Sequence, residues 1–361
     1  MTVPTDPDQL DPRLAELCER LSGAAGTLEE PAEWPAAQLD WLSETDVLRW
    51  TVPEQFGGMG LKRRDLAFGY ELLGSACLTT TFVLTQRNAA IARVGLSQNE
   101  ELKRRLLGSL CTSDVFATVG ISHLTTSRQH LAPAVTAKET SDGFELSGTI
   151  PWVTGAGFAK RIVTGATLED GRQVLLVLDA GSDGIEIGTP GKLLALNASH
   201  TGSINLQNVF VPMSEVLSGP VESVMKQGKA IGAGSLTTSS LALGQASGAL
   251  KLLGLEARRR PELEETTAPL QAELQTIRED MYAGIDKTRD DESVSAESVR
   301  QRANSLVLRS TQAYLAASKG AGFSKGHPAE RLVREAMFFL VWSCPQPVLT
   351  ANLREFACMA D

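Results

Sequence analysis

The sequence lacks any long apolar run. The longest wholly apolar stretch, Ala336 to Trp342, is far shorter than the roughly 20 residues that cross a bilayer. The first residues, MTVPTDPDQLDP, are acidic and rich in proline, which is unlike a secretory signal. We therefore expect a cytoplasmic protein with no membrane partner.

Cysteine, histidine and positive charge are also scarce. The 361 residues include five cysteines and four histidines, with no C-x-x-C and no H-x-x-x-H spacing, so we expect reduced thiols and no metal site. The formal charge is −9, and no basic stripe is interleaved with aromatic residues. This charge predicts that nucleic acid is not a partner, because phosphate binding depends on clustered Lys and Arg.

The chain divides by pattern into a helical, a β and a second helical region. Apolar residues recur at helical spacing from about Asp11 to Ser109, and the run 65–94 is largely apolar. Asp142-Gly143 and Asp170-Gly171 are hairpin signals between β-branched runs. Short strands without intervening helices predict an antiparallel sandwich or barrel. The predicted strands are 115–122, 134–140, 144–153, 161–167, 173–178 and 203–210.

Long helices are predicted again from about Val221 to the end. The first of them, Ser223 to Arg259, is rich in small residues such as Gly244 and Gly248, so we expect other helices to approach it closely. The others fit 268–287, 295–318, 328–343 and 346–359.

Residues 147–157, SGTIPWVTGAG, are the most informative stretch. In a regular strand Trp152 and Thr154 would share one face, with Val153 on the other. A planar heteroaromatic ring would fit there, covered by Trp152 and hydrogen-bonded by the Thr154 hydroxyl. An ordinary packed strand has the same composition, so that interpretation stays open.

Several segments along nearly the whole chain resemble the acyl-CoA dehydrogenase family of flavoproteins. The matching segments are Trp50-Thr51-Val52-Pro53-Glu54 with Phe56-Gly57-Gly58-Met59-Gly60-Leu61; Gly148 with Trp152-Val153-Thr154; Phe210-Val211-Pro212; and Gly320-Ala321-Gly322-Phe323 followed by Pro328, Arg331 and Arg334-Glu335-Ala336. The resemblance implies an α+β fold with an N-terminal helical domain (1–112, with 1–10 a loose tail), a central β domain (113–218) and a C-terminal four-helix bundle (219–361). It also implies a homodimer or homotetramer.

The same resemblance implies an FAD cofactor and an acyl-CoA or acyl-carrier thioester as substrate. Trp152 and Thr154 would lie against the flavin ring, with Thr154 near N5. Ser122 would offer a hydroxyl or backbone N–H to the pyrimidine edge, where negative charge develops on reduction. Gly320 and Gly322 would let the backbone approach the pyrophosphate or a neighbouring subunit. A turn-capping role for Ser122 and a helix end at the two glycines are the alternatives.

The chain departs from the family at the catalytic base, which must be a carboxylate close to the substrate's α-proton. Ser343 stands at the usual glutamate position, and Gly234, followed by Ser235, stands at the alternative one. Glu335 is about 12 Å away along a helix. Glu355 would reach the site only if the chain turned back at Pro345 or Pro347. The base therefore stays unknown.

Three functions remain open from the sequence. The first is an FAD-dependent oxidoreductase that transfers hydride from an acyl thioester or related small molecule to flavin N5. The second is a flavin monooxygenase on the same fold, which needs no such base. The third is a non-catalytic binding or assembly protein. Near the site, His123 is expected to be a surface loop residue and Cys344 an inert, packed thiol. Gln86-Arg87-Asn88 is expected either to be a solvated face or to line a cavity.

Overall fold

The computed structural model describes residues 10–125, 132–226 and 236–359. Its N-terminal helices are α1 (Pro12–Glu29), α2 (Ala36–Glu44), α3 (Arg63–Ala76), α4 (Leu78–Leu96) and α5 (Glu100–Leu106). The Asp11 side chain caps α1 by accepting from the Arg13 amide, and Pro12 follows at the first helical position. The predicted single run 65–94 is in fact two helices, because Cys77 is extended (φ −153°, ψ 104°) and separates α3 from α4.

The β region forms one eight-stranded sheet in the order β6-β7-β3-β2-β4-β5-β8, with β1 also paired to β4. The strands are β1 (Ala117–Gly120), β2 (Val135–Glu139), β3 (Gly143–Val153), β4 (Arg161–Thr167), β5 (Gln173–Asp179), β6 (Ile185–Ile187), β7 (Gly202–Pro212) and β8 (Val216–Val221), and the short helix α6 (Ser122–Thr125) follows β1.

The predicted α+β arrangement of helical, β and helical regions is confirmed, but the prediction that the central sheet is antiparallel is wrong. β1 runs parallel to β4, and β2 meets β4 in parallel at Thr136 and Thr167, so the sheet is mixed. The β2–β3 hairpin lies between β1 and β4 in the sequence, which lets β4 return in the same direction as β1. Pairing between strands this far apart leaves no local signal in the sequence.

The sheet has an apolar core on each face. Alternate residues of β4 and β5, such as Ile162 and Leu176, pack into the larger core. Their neighbours, such as Val163 and Leu175, pack into a second core that includes Ile91 of α4. Strands covered on both sides are continuous apolar runs rather than alternating ones, as β4 and β5 are here.

The C-terminal helices are α7 (Leu236–Arg259), α8 (Glu264–Asp286), α9 (Ala296–Gly322), α10 (Pro328–Ala336) and α11 (Gln346–Phe356). The predicted helix 328–343 ends early: α10 passes into a 3-10 turn at Met337–Leu340 and then into a turn. Of the predicted helix start at 223–235, Val224–Lys226 is a 3-10 turn and 227–235 lies outside the described residues.

The small residues of α7 do permit a close helix contact, as expected. A Cβ atom on Gly244 would lie 2.4 Å from the Glu71 carbonyl oxygen of α3, and one on Gly248 would lie 2.6 Å from the Ser75 carbonyl oxygen. The Glu71 carboxylate also pairs with Arg278 of α8 at 2.6 Å. Close backbone contacts and one ion pair thus join the N-terminal and C-terminal helices.

Within the three described ranges, no helix is both long and apolar enough to span a membrane. The division into domains at 112/113 and 218/219 stays a prediction, and β8 runs past the second of these boundaries to Val221.

Candidate functional site

The end of β3 carries the residues that the sequence singled out. The β3–β7 register shifts between Ile150 and Val153, and Trp152 has a left-handed backbone (φ 56°). Because this irregularity interrupts strand alternation, the expected shared face does not form. Trp152 is 60% exposed, whereas Thr154 is only 2% exposed. The prediction that both side chains line one open face is therefore wrong, although their role toward a cofactor stays a prediction.

The Thr154 hydroxyl belongs to a buried chain of three hydroxyl groups. Thr154 Oγ1 lies 3.1 Å from Thr201 Oγ1, which lies 2.8 Å from Ser199 Oγ. The Gly155 amide donates to the Ser199 carbonyl at 2.9 Å, which fixes the turn after β3 against the start of β7. Each hydroxyl can donate or accept, so heavy-atom positions leave the direction of the chain undecided.

Ser122 and Trp152 are brought to the same end of the sheet. Ser122 begins α6, and its Oγ donates to the Pro151 carbonyl oxygen at 3.4 Å, directly before Trp152. His123 follows but is buried, with Nε2 2.9 Å from the Gly165 carbonyl oxygen. The expectation of a surface histidine is therefore wrong, because α6 packs its His123 ring against the backbone of β4.

An aromatic group that the sequence did not reveal supports the turn after Trp152. Trp34 stacks on Phe158 with ring centroids 4.5 Å apart and planes 7° apart. A Cβ atom on Gly155, whose φ is 64°, would lie 2.5 Å from the Trp34 ring and 2.7 Å from Phe116. Gly155 is thus required both by its conformation and by the ring beside it. The glycine at position 155 was the one feature of the sequence that could have indicated a bulky group packed against this turn.

Gly320 and Gly322 lie at the C-terminal end of α9, after a kink at Lys319 (φ 54°, ψ −147°). A Cβ atom on Gly322 would lie 2.5 Å from Ser318 Cβ, so local crowding within the helix end accounts for that glycine. A Cβ atom on Gly320 would meet nothing within 4 Å. Their predicted approach to a cofactor or a second subunit stays a prediction.

Ser343 lies in the 341–344 turn, Val341 to Cys344, with a left-handed backbone (φ 47°). Preceding it, Trp342 stacks on Phe338 with centroids 5.1 Å apart and meets Phe82 of α4 edge-on at 5.6 Å. The turn is therefore held by aromatic packing against the N-terminal helices. Gly234 and Ser235, the alternative position of the base, lie outside the described residues.

Arg300 of α9 holds the 341–344 turn through hydrogen bonds to backbone carbonyls. Its Nη2 donates to the Trp342 carbonyl at 3.0 Å, and its Nη1 donates to the Thr238 carbonyl of α7 at 3.1 Å. Arg300 is fully buried. Burial lowers the pKa of its guanidinium to about 10, which still leaves it charged at neutral pH.

The carboxylates nearest in sequence to Ser343 have other partners. Glu335 is buried and accepts from Arg331 Nη1 at 2.9 Å and from Gln245 Nε2 at 2.9 Å. Glu355 accepts from the Ser305 hydroxyl at 2.5 Å. The segments 126–131 and 227–235 contain neither Asp nor Glu. Neither Glu335 nor Glu355 therefore takes the place of the glutamate that is missing at position 343.

A second buried arginine lies in the N-terminal helices. Arg87 donates through Nη1 to the Leu48 carbonyl at 3.0 Å and through Nη2 to the Leu110 carbonyl. Its neighbour Asn88 donates to the Tyr70 hydroxyl at 2.8 Å. Both residues are buried, so the interpretation of this segment as a solvated face is wrong. As for Arg300, burial lowers the Arg87 pKa to about 10.

Comparison with known sequences gives relatives over most of the chain. A family model described as acyl-CoA dehydrogenase, N-terminal domain, matches residues 14–114. The probable acyl-CoA dehydrogenase YngJ of Bacillus subtilis (strain 168) is 22% identical over 332 residues, covering 86% of this chain and 86% of that protein. The mitochondrial short-chain specific acyl-CoA dehydrogenase of Bos taurus is 24% identical over 334 residues, covering 86% of this chain and 80% of that protein.

Solved structures share the fold. Butyryl-CoA dehydrogenase from Megasphaera elsdenii superimposes with a TM-score of 0.81 at 16% identity, covering 97% of this chain and 99% of that one. FMN-bound TdsC from Paenibacillus sp. A11-2 superimposes with a TM-score of 0.79 at 19% identity, covering 95% of this chain and 94% of that one. At these identities the likeness concerns the fold alone, which is the helical, β and helical arrangement expected from the sequence.

Proposed function

The chain belongs to the acyl-CoA dehydrogenase family, and on that premise we propose that it is a flavin-dependent oxidoreductase with FAD as its cofactor. The observation that carries the proposal is the Trp152 side chain, 60% exposed at the end of β3, where the Ser122 hydroxyl donates to the preceding Pro151 carbonyl. A large aromatic side chain left exposed in this way is free to cover a planar ligand.

The exposed Trp152 would cover a flavin ring, and Ser122 would donate at its pyrimidine edge. Thr154 is buried with its hydroxyl 3.1 Å from Thr201 Oγ1, so it would present that hydroxyl at N5 only after this contact opened. Gly320 and Gly322 would lie beside the pyrophosphate. When bound, the flavin would supply hydride acceptance at N5 and, once reduced, reaction with O₂.

The first candidate reaction is hydride transfer from an acyl thioester or a related small molecule. The names of the curated relatives support a thioester substrate. The reaction also needs a residue that removes the α-proton, and a neutral Ser343 does not accept a proton without a base of its own. Under this candidate the base must come from elsewhere than position 343.

A specific observation favours a second candidate, a flavin monooxygenase on the same fold. Glu335 and Glu355, the carboxylates considered in place of the glutamate, both have other partners. A monooxygenase needs no α-proton base, so its reaction does not require either glutamate to leave its present hydrogen-bond partner. The likeness to TdsC, which has also been solved with FMN and indole, supports a substrate other than a thioester. Of the two candidates, we propose the second as the better match to the site.

Two measurements test the proposal in sequence. The purified protein is expected to be yellow, and a colourless protein that takes up neither FAD nor FMN would contradict any flavin function. The flavin protein is then mixed anaerobically with butyryl-CoA. We expect no bleaching in the native protein and bleaching after Ser343→Glu, with Ser343→Gln as the uncharged control. Bleaching of the native protein would establish the first candidate instead.

We also propose a homodimer or homotetramer that works in the cytoplasm. Three apolar side chains of α11, Leu349, Leu353 and Phe356, recur at helical spacing and are exposed. A second copy of the chain would cover such a stripe, since exposed apolar faces of this kind mark association sites. Sedimentation of the native protein and of Leu353→Glu tests this. A monomer in both cases would contradict the proposal.

A further inference from the structure

Arg300 is a buried cation without a carboxylate partner in the part of the chain that the structure describes. Both of its hydrogen-bond acceptors are backbone carbonyls, and no carboxylate of the described residues pairs with it. The undescribed internal segments 126–131 and 227–235 contain no Asp or Glu. Its Nε atom is buried and has no hydrogen-bond partner among the described residues. Buried charges are normally paired, so this arrangement requires a reason.

Backbone carbonyls and aromatic rings stabilise the cation in part. The carbonyls of Trp342 and Thr238 accept its two hydrogen bonds, and its Cζ lies 5.5 Å from the Trp342 ring centroid and 5.7 Å from that of Phe339. These groups are dipoles and quadrupoles, so a full positive charge remains next to the 341–344 turn.

We propose that the 341–344 turn is a binding site for an anionic oxygen group of the substrate, such as a carboxylate or a phenolate, and that Arg300 is the positioning residue that supplies its positive field. The inference rests on the proposed function, because it assigns the substrate class of that same site. With serine at position 343, no side chain of the turn carries a negative charge that would offset the cation. Arg300 is itself fully buried, so it would act on a ligand at the turn through its field and not by direct contact.

Arg300 also fixes the geometry of the turn. Its bond to the Trp342 carbonyl holds the peptide directly before Ser343, and its bond to Thr238 ties that peptide to the start of α7. An anion bound at the turn would therefore meet a cation that is already in place, so little ordering is required on binding.

The chain contains a thiol that reports this field. Cys344 lies in the turn and is partly buried; burial raises the pKa of its thiol, and the charge of Arg300 opposes that rise. Cys111 is a matched reporter at the other buried arginine: burial raises its thiol pKa, and Arg49 and Arg87 oppose the rise. Each cysteine thus reports on a different cation.

The test compares an anionic and a neutral alkylating reagent at each cysteine. Iodoacetate and iodoacetamide attack the same thiolate, so the ratio of their rates cancels the thiolate fraction and measures the preference for an anion. At Cys344 we expect this ratio to fall about fourfold in Arg300→Met and Arg300→Gln, since a unit charge is lost nearby. Arg300→Lys is expected to retain it. Rates are measured for each cysteine by mass spectrometry of the full chain.

Cys111 provides the control. Its ratio is expected to stay constant in the Arg300 variants and to fall in Arg87→Met. Arg300→Gln keeps hydrogen-bond donors, so it covers the case in which Arg300→Met does not fold. An equal ratio at Cys344 in the native protein and Arg300→Gln would overturn the inference.

The reaction needs no flavin, so the two proposals fail separately. A colourless protein with the expected fall at Cys344 would refute the flavin function and leave the anion site standing. A yellow protein with unchanged ratios would overturn only the anion site.

Discussion

Alanine at Gly244 is expected to destabilise the protein, whereas alanine at Gly254 is not. Both glycines lie in α7, so each substitution makes the same gain in helix propensity, about 1 kcal/mol. The difference lies in what the new methyl group meets. At Gly244 it would lie 2.4 Å from the Glu71 carbonyl oxygen and 3.1 Å from the Ser75 amide nitrogen.

At Gly254 the nearest atom to the new methyl is Gln271 Nε2 at 3.4 Å, the end of a flexible side chain. The Gly244 contacts are backbone atoms of α3, so relief there requires the two helices to move apart. Overpacking of this kind costs about 1–3 kcal/mol. Because the propensity term cancels between the variants, Gly244→Ala should be less stable than Gly254→Ala by about that amount.

Guanidinium denaturation followed by far-UV circular dichroism measures the difference. Gly254→Ala should match the native protein or exceed it, and Gly244→Ala should unfold at a lower midpoint with an unchanged slope. Equal midpoints for the two variants would refute the close α3–α7 contact. A changed slope for Gly244→Ala would indicate that the native packing itself had loosened.

Three further predictions concern the site and its surroundings. Trp152→Ala should weaken flavin binding by about fivefold or more, since stacking on an aromatic ring contributes about 1–3 kcal/mol, and a fluorescence titration with FAD showing no change would contradict this. Glu335→Gln should cost up to about 3–5 kcal/mol of stability by removing the buried carboxylate that pairs with Arg331, whose side chain is 11% exposed, as measured by denaturant unfolding, and should leave the flavin spectrum unchanged. Alkylation of Cys344 by iodoacetamide should reach half its maximal rate above pH 9.0, because burial raises its thiol pKa from that value, and unfolding in urea should move the midpoint down.

Much of the fold could be predicted from the sequence because helices and buried strands carry local periodic signals. The exceptions have identifiable causes. The break at Cys77 lies in a segment, Ser75 to Leu78, without glycine or proline. Strand β8 contains Gly219 and Pro220, which argue against a strand in sequence but are tolerated at the sheet edge that β8 occupies. The parallel pairing of β1 with β4 depends on contacts far apart in the chain.

The sequence singles out the end of β3 as the candidate site, but it does not reveal the geometry there. The motif around Trp152 does mark the end of β3, yet the left-handed backbone and the register shift there are invisible to a rule that assumes a regular strand. Two polar residues are buried although their polarity suggested exposure. His123 was expected at the surface, and Arg87 either on a solvated face or lining a cavity, but both are buried and bonded to backbone carbonyls, of Gly165 in β4 for His123 and of Leu48 and Leu110 for Arg87.

The alcohol groups of Ser199, Thr201 and Thr154 form a row in which only hydrogens need to turn for the whole series to reverse its polarity. Such a row can hydrogen-bond to a neighbouring donor as readily as to a neighbouring acceptor. The interior behind Trp152 thus adapts to two opposite bonding demands while every carbon, nitrogen and oxygen stays where it is.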